Sequence, residues 1–184
     1  MSCAILISLI PITIILSIVI LYNRIVRLNQ HVKESWAGID SELKRRYDLI
    51  PNLVETVRGY ASHEKETLEN VVAARNQAVS STGAPSAQAG DENALIGSLR
   101  SLFVVVEKYP DLKANTQFQQ LQKELANTET NISQARRFYN ANVREFNTAV
   151  QTFPTSLFAK MFGYTEAQYF EIEEGARATP VVEV

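Results

Sequence analysis

Cysteine occurs once, at Cys3, and histidine twice, at His31 and His63. A structural zinc site draws four ligands from these residue types, so none is expected, and no disulfide can close within the chain. There is no basic surplus either: 18 Lys and Arg stand against 20 Asp and Glu, a formal net charge of -2. Nucleic-acid binding rests on neutralising phosphates with such a surplus, so nucleic acid is not an expected partner. The seven glycines are scattered singly, which leaves no Gly-rich phosphate loop. Sustained alternation and Asn-Gly or Asp-Gly turns are missing, and with them any signal for strands or hairpins. The most telling lack is local: no charged side chain precedes Arg24.

That uncharged start is an apolar run from Ala4 to Tyr22, through Ile10 and Ile15. As a helix it covers roughly 28 Å at ~1.5 Å per residue, enough to cross a bilayer. Residues 1–22 are expected to be a retained anchor. A cleaved signal would begin with basic residues and end in small ones, whereas Met1-Ser2-Cys3 is uncharged and Tyr22-Asn23-Arg24-Ile25 offers no cleavage site. Cys3 then reads as a small apolar residue at the membrane edge. Arg24, Arg27 and Lys33 follow the span, so the positive-inside rule places the remainder in the cytoplasm, the alternative being the periplasmic or extracellular side.

The remainder reads as helix. Ile25, Leu28, Val32, Trp36, Ile39, Leu43, Tyr47 and Ile50 recur at steps of three and four, one face of an amphipathic helix continuing out of the span. Pro51 is expected to end or kink it and to open a second helix carrying Leu53, Val57, Tyr60, Leu68, Val71, Val72 and Val79. Residues 80–90, with two glycines and a proline, read as a mobile linker. A third helix, the shortest, is expected from Asp91 to Pro110, burying Leu95, Leu99, Leu102, Phe103 and Val106. A capping box at Thr116 and Gln119 opens a fourth helix of about 38 residues, roughly 57 Å. In it Phe118, Leu125, Ile132, Tyr139, Phe146 and Phe153 fall seven apart, a coiled-coil-like seam interrupted by Thr128 and Asn142. The expected fold is all-α: a transmembrane helix running into an elongated antiparallel bundle of about four helices over residues 23–164, with a tail at 165–184.

Three sequence blocks carry a resemblance. They are Trp36-Ala37-Gly38-Ile39-Asp40 with Leu43-Lys44-Arg45-Arg46-Tyr47-Asp48-Leu49-Ile50-Pro51-Asn52-Leu53-Val54, then Gly59-Tyr60-Ala61-Ser62-His63-Glu64, then Tyr109-Pro110-Asp111-Leu112-Lys113-Ala114-Asn115 with Ala135-Arg136-Arg137-Phe138-Tyr139-Asn140. Together they resemble the LemA family, from the anchor to about Glu174. The resemblance implies a bacterial single-span membrane protein with a helical-bundle domain and no established enzymatic activity. Some relatives are associated with magnetosome membrane formation, which makes membrane organisation an analogy of family.

No catalytic, cofactor-binding or metal residue is expected. His63-Glu64 lacks a second His one turn on, where Thr67 stands, so it is no zinc-protease motif. Lys44-Arg45-Arg46, with Asp48, is the densest charged cluster. On an upright helix Arg45 lies roughly 35 Å past Tyr22, several Debye lengths from the bilayer. These residues are therefore assigned to salt bridges with Asp40, Glu42 or Asp48, or to a surface for an acidic partner. Beyond Pro154, Leu157, Phe158, Met161 and Phe162 form one face of a short helix, which either lies at the membrane surface or caps the bundle core. Counting helix directions brings that end back to the bilayer, while Glu171, Glu173 and Glu174 turn the tail away.

The functional expectation is a non-enzymatic scaffold or adaptor at the bacterial inner membrane. Its partners are the bilayer, through the first helix, an unidentified membrane protein and, through the fourth-helix seam or the anchor, a second copy. A membrane-remodelling protein and a membrane-tethered hydrolase are the alternatives.

Overall fold

The apolar stripe from Ile25 to Ile50 is the inner edge of one uninterrupted helix: seven of its eight residues are buried and Trp36 is half-buried. The computed structural model describes residues 2–172, and side chains from residue 11 onward. The described residues form six helices: α1 (Ser2–Arg58), α2 (Lys65–Ser80), α3 (Pro85–Val106), α4 (Pro110–Lys113), α5 (Thr116–Gln151) and α6 (Thr155–Met161). No strand occurs among the described residues. The fold is all-α: beside the four long helices and the short helix expected beyond Pro154, it has one more short helix, α4.

Pro51 neither ends nor opens a helix; it lies inside α1. A proline leaves the carbonyl four residues earlier without its helical donor, and here that carbonyl belongs to Tyr47. Arg75 Nε of α2 donates to it at 3.2 Å, so the chain continues helical to Arg58. The break falls instead at residues 59–64, where Gly59, Tyr60 and Ala61 turn on hydrogen bonds to Glu55 and Val57 carbonyls.

The expected linker is mostly helix. Only residues 81–84 separate α2 from α3, Pro85 takes the first turn, and Gln88 and Ala89 are buried. Small residues there allow close packing, so α3, at 22 residues, is longer than α2, at 16. The cap of α5 lies one residue earlier than expected: Asn115 Oδ1 accepts from Phe118 N–H at 2.9 Å, while Gln119 Nε2 donates to the Lys113 carbonyl.

The chain divides into two units, residues up to 37 with 138–167, and residues 38–137 with the segment from 168. In the second, Ile39, Leu43, Ile50 and Leu53 of α1, Val71 of α2, Leu95 and Leu102 of α3, and Phe118 and Ile132 of α5 supply buried apolar groups. Asn131 donates to Glu42 while Arg46 donates to Glu129, so moving along α1 moves backward along α5 and the pair is antiparallel. The residues around the turn at 59–64 are tied to those flanking α4, through Asn115 to the Tyr60 hydroxyl at 2.9 Å and the Tyr109 hydroxyl to Glu64 at 3.3 Å.

In the first unit, Ile25, Leu28 and Val32 of α1 are buried, as are Tyr139, Val143, Phe146 and Val150 of α5. The α5 seam is thus covered within the chain from Phe118 to Phe146. Phe153, past the helix end, is 85% exposed. Thr128 on the seam bonds its own helix, donating to the Glu124 carbonyl at 2.9 Å.

The start of the tail packs against the helices. Asn147 clamps Ala167 in the first unit, accepting its N–H at 2.8 Å and donating to its carbonyl at 2.9 Å. In the second unit Phe170 and Ile172 are buried, and Arg136 donates to the Ile172 carbonyl. Glu173 and Glu174 lie outside the described residues.

Candidate membrane-contact site and buried ion cluster

The first unit contains the end of the uncharged run. From Pro11 onward α1 is apolar enough to cross a membrane, and Ile12, Ile14, Ile15, Leu16, Val19 and Ile20 all stand exposed. Aliphatic side chains on all sides of a helix, uncovered by protein, match a lipid surrounding. Ile15 and Tyr22 belong to this exposed stretch, while the side chains of Ala4 and Ile10 lie outside those described.

At the span's end Tyr22 meets Phe162, with ring centroids 4.7 Å apart. Phe162 follows α6, whose two faces differ. Thr155 and Ala159, four apart, are buried, whereas Leu157 and Met161, also four apart, are 63% and 66% exposed. Phe158 is half-buried and Phe162 exposed. These residues do not fill the bundle core, so the capping alternative fails for Leu157, Met161 and Phe162.

A Schellman motif ends α6: Gly163 N–H bonds the Lys160 carbonyl and Tyr164 N–H reaches back to the Ala159 carbonyl at 2.9 Å. Gly163 makes the motif possible at φ +76, a conformation glycine adopts without steric cost. The turn delivers Tyr164 edge-on to Phe146, centroids 6.2 Å apart. Beside α6, Arg24, Asn142, Arg144, Thr148, Thr152 and Thr155 line part of an open cleft of about 460 Å³. Glu145 on its wall offsets Arg144.

The second unit holds an ion cluster that sequence reasoning missed. Arg46 is only 1% exposed and therefore is not part of a partner surface. It falls three residues after Leu43 and four before Ile50, on the buried stripe, and that spacing was the signal available. Its Nη2 donates to Glu92 of α3 and its Nη1 to Glu129 of α5 at 2.9 Å. The pairing runs across helices rather than along α1 to Asp40, Glu42 or Asp48. The Tyr47 hydroxyl donates to the other Glu92 oxygen.

Burial pushes the Glu92 carboxyl above the usual carboxylate range, opposed by Arg46, and burial followed by Glu92 pushes Tyr47 well above the usual phenol value. Tyr47 is thus a neutral donor. Lys44, Arg45 and Asp48 remain exposed. His63 is exposed in the turn at 59–64, not on a helix, and His31 pairs with Glu34 at 3.5 Å.

The family model described as "LemA family" matches residues 35–184. The chain belongs to the LemA family. One relative of this LemA-family chain is "Protein LemA" of Metamycoplasma hominis, 27% identical over 153 residues, spanning 83% of this chain and 69% of that protein. Another is "Magnetosome protein MamQ" of Magnetospirillum gryphiswaldense, 23% identical over 186 residues, spanning 88% of this chain and 68% of that protein. The family match begins at Ser35, after the candidate span, and takes in the Arg46 cluster, α6 and the buried end segment of this LemA-family chain.

Proposed function

We propose that this chain is a non-enzymatic scaffold or adaptor of the bacterial inner membrane, held by its first helix and presenting its helical units to a protein partner on the cytoplasmic side. The observation that carries the reading is α1 itself. One helix runs without a break from the candidate span into helical structure whose outer face carries exposed charge, Lys44, Arg45 and Asp48 among it. An anchor joined by helix to a charged surface holds that surface at the membrane, which is what recruitment requires. The orientation rests on Arg24, Arg27 and Lys33 directly after the uncharged run.

Two experiments test the reading. A periplasm-only reporter fused after Val184 should be silent and a cytoplasmic one active; the reverse pattern overturns the orientation. A photo-crosslinker at Arg45 in native membranes should give a discrete adduct that Lys44→Glu removes, with helicity unchanged. Adduct formation indifferent to the charge reversal refutes the partner surface.

A further inference from the structure

We propose that the outward face of α6 lies in the water–lipid boundary beside the N-terminal span, giving the chain a second seat on the bilayer. The inference rests on α1 crossing that bilayer, and the experiment below reads the two separately.

Three observations converge. The first is position. Tyr22 is the last residue of the apolar run, and tyrosine favours the level of the headgroups. Phe162 packs against it, so α6 lies at that level and the exposed apolar surface of the span, ending in Val19 and Ile20, continues onto α6.

The second is the face. Leu157 and Met161 stand one turn apart on the same side, and Phe153 before the helix and Phe162 after it are exposed as well. Contiguous exposed apolar groups mark a binding or membrane surface, and an interfacial helix is built with one apolar side and one polar side. Lys160, exposed and outside the apolar pair, is free to reach the headgroups.

The third is how the face is held. Thr155 and Ala159 are buried behind it, the Schellman turn closes its end, and Tyr164 and Ala167 are fastened to Phe146 and Asn147. Leu157 and Met161 cannot rotate inward without undoing these contacts. The occupant is lipid, because a protein seated here would compete with the bilayer that surrounds the adjoining end of the span.

The test uses the full chain with Cys3→Ser, carrying one nitroxide at a time on Ile15→Cys, Leu157→Cys, Met161→Cys or Lys44→Cys. Samples are reconstituted in nanodiscs of phosphatidylcholine and phosphatidylglycerol. Collisions with oxygen report lipid exposure, and collisions with a water-soluble nickel chelate report aqueous exposure. Nickel accessibility at 157 and 161 should be several-fold below that at 44, with oxygen accessibility raised as at 15. A lipid signature at 15 with an aqueous one at 161 overturns the second seat and leaves the span standing. Low accessibility to both reagents at 161 also overturns it, since protein then covers the face. An aqueous signature at 15 overturns the span and this inference with it. Should the label disturb α6, Met161→Trp in a Trp36→Phe background gives an independent reading: brominated lipid should quench its fluorescence, and unquenched emission refutes the proposal.

Discussion

Arg46 brings a full charge to a position where its neighbours along the helix, Leu43 and Ile50, are apolar and buried. It is tolerated because Glu92 and Glu129 receive both terminal nitrogens. Removing one partner of such a buried pair leaves the other charge uncompensated, so Arg46→Ala should cost about 3–5 kcal/mol, whereas a matched apolar pair is often neutral. Chemical denaturation of the full chain in detergent, followed by far-UV circular dichroism, should show Arg46→Met with Glu92→Leu close to the parent. An equally large loss in both variants contradicts this account.

The same cluster sets a pH dependence. Burial raises the Glu92 carboxyl in the folded state, so the fold keeps that proton where the unfolded chain has released it. The resulting stabilisation is complete below the unfolded value of about 4.3 and is lost as pH rises through the folded value. The stability of the parent relative to Glu92→Gln should therefore fall as pH climbs from the ordinary glutamate range through the folded value. A difference that stays constant over that window counts against the assignment.

At the scale of elements, helix faces were legible in the sequence and helix ends were not. The period of apolar residues placed the α1 stripe and the α5 seam because burial imposes it directly. Ends depend on which distant group satisfies a freed backbone atom. Pro51 reads as a stop until Arg75 arrives at the Tyr47 carbonyl, and no local rule announces Arg75. Residues 85–90 read as linker because Gly and Pro are weak helix formers, yet Pro85 is at the permitted first turn and Ala89 packs. For the candidate site, a short helix beyond Pro154 was legible but not which of its apolar residues are buried, since Leu157 and Met161 stand exposed and Phe158 half-buried, while the Arg46 cluster was hidden by its basic neighbours Lys44 and Arg45.

The Pro51 account is testable. Arg75→Met should orphan the Tyr47 carbonyl and cost about 1–3 kcal/mol. In a Pro51→Ala background the alanine N–H takes over, and the penalty should shrink. A cycle showing no coupling between the two positions would sink the explanation.

At the scale of the whole molecule, charge is partitioned sharply: none before Arg24, and 38 charged side chains from Arg24 onward, balancing to a net of -2. The segment after α6 carries no periodic signal, since an irregular segment packs one residue at a time, and its burial was not foreseen. Phe170 is fully buried, and Phe170→Ala should cost about 3–5 kcal/mol in the denaturation assay. A loss below about 0.5 kcal/mol, typical of surface sites, would show that the segment is not part of the core.

The Asn147 clamp has a chemical lifetime as well as a strength. Its amide both gives to and takes from Ala167, a reciprocity that a carboxylate cannot reproduce because it only accepts. Deamidation would turn the donating nitrogen into an anionic oxygen facing the Ala167 carbonyl, so the protein should lose its end segment by ageing before it loses any helix. Asn147→Asp mimics the aged state, and limited proteolysis should cut between 164 and 172 faster than in the parent while the helical signal is retained. Equal cutting rates in the two proteins would mean that the amide does not hold the segment.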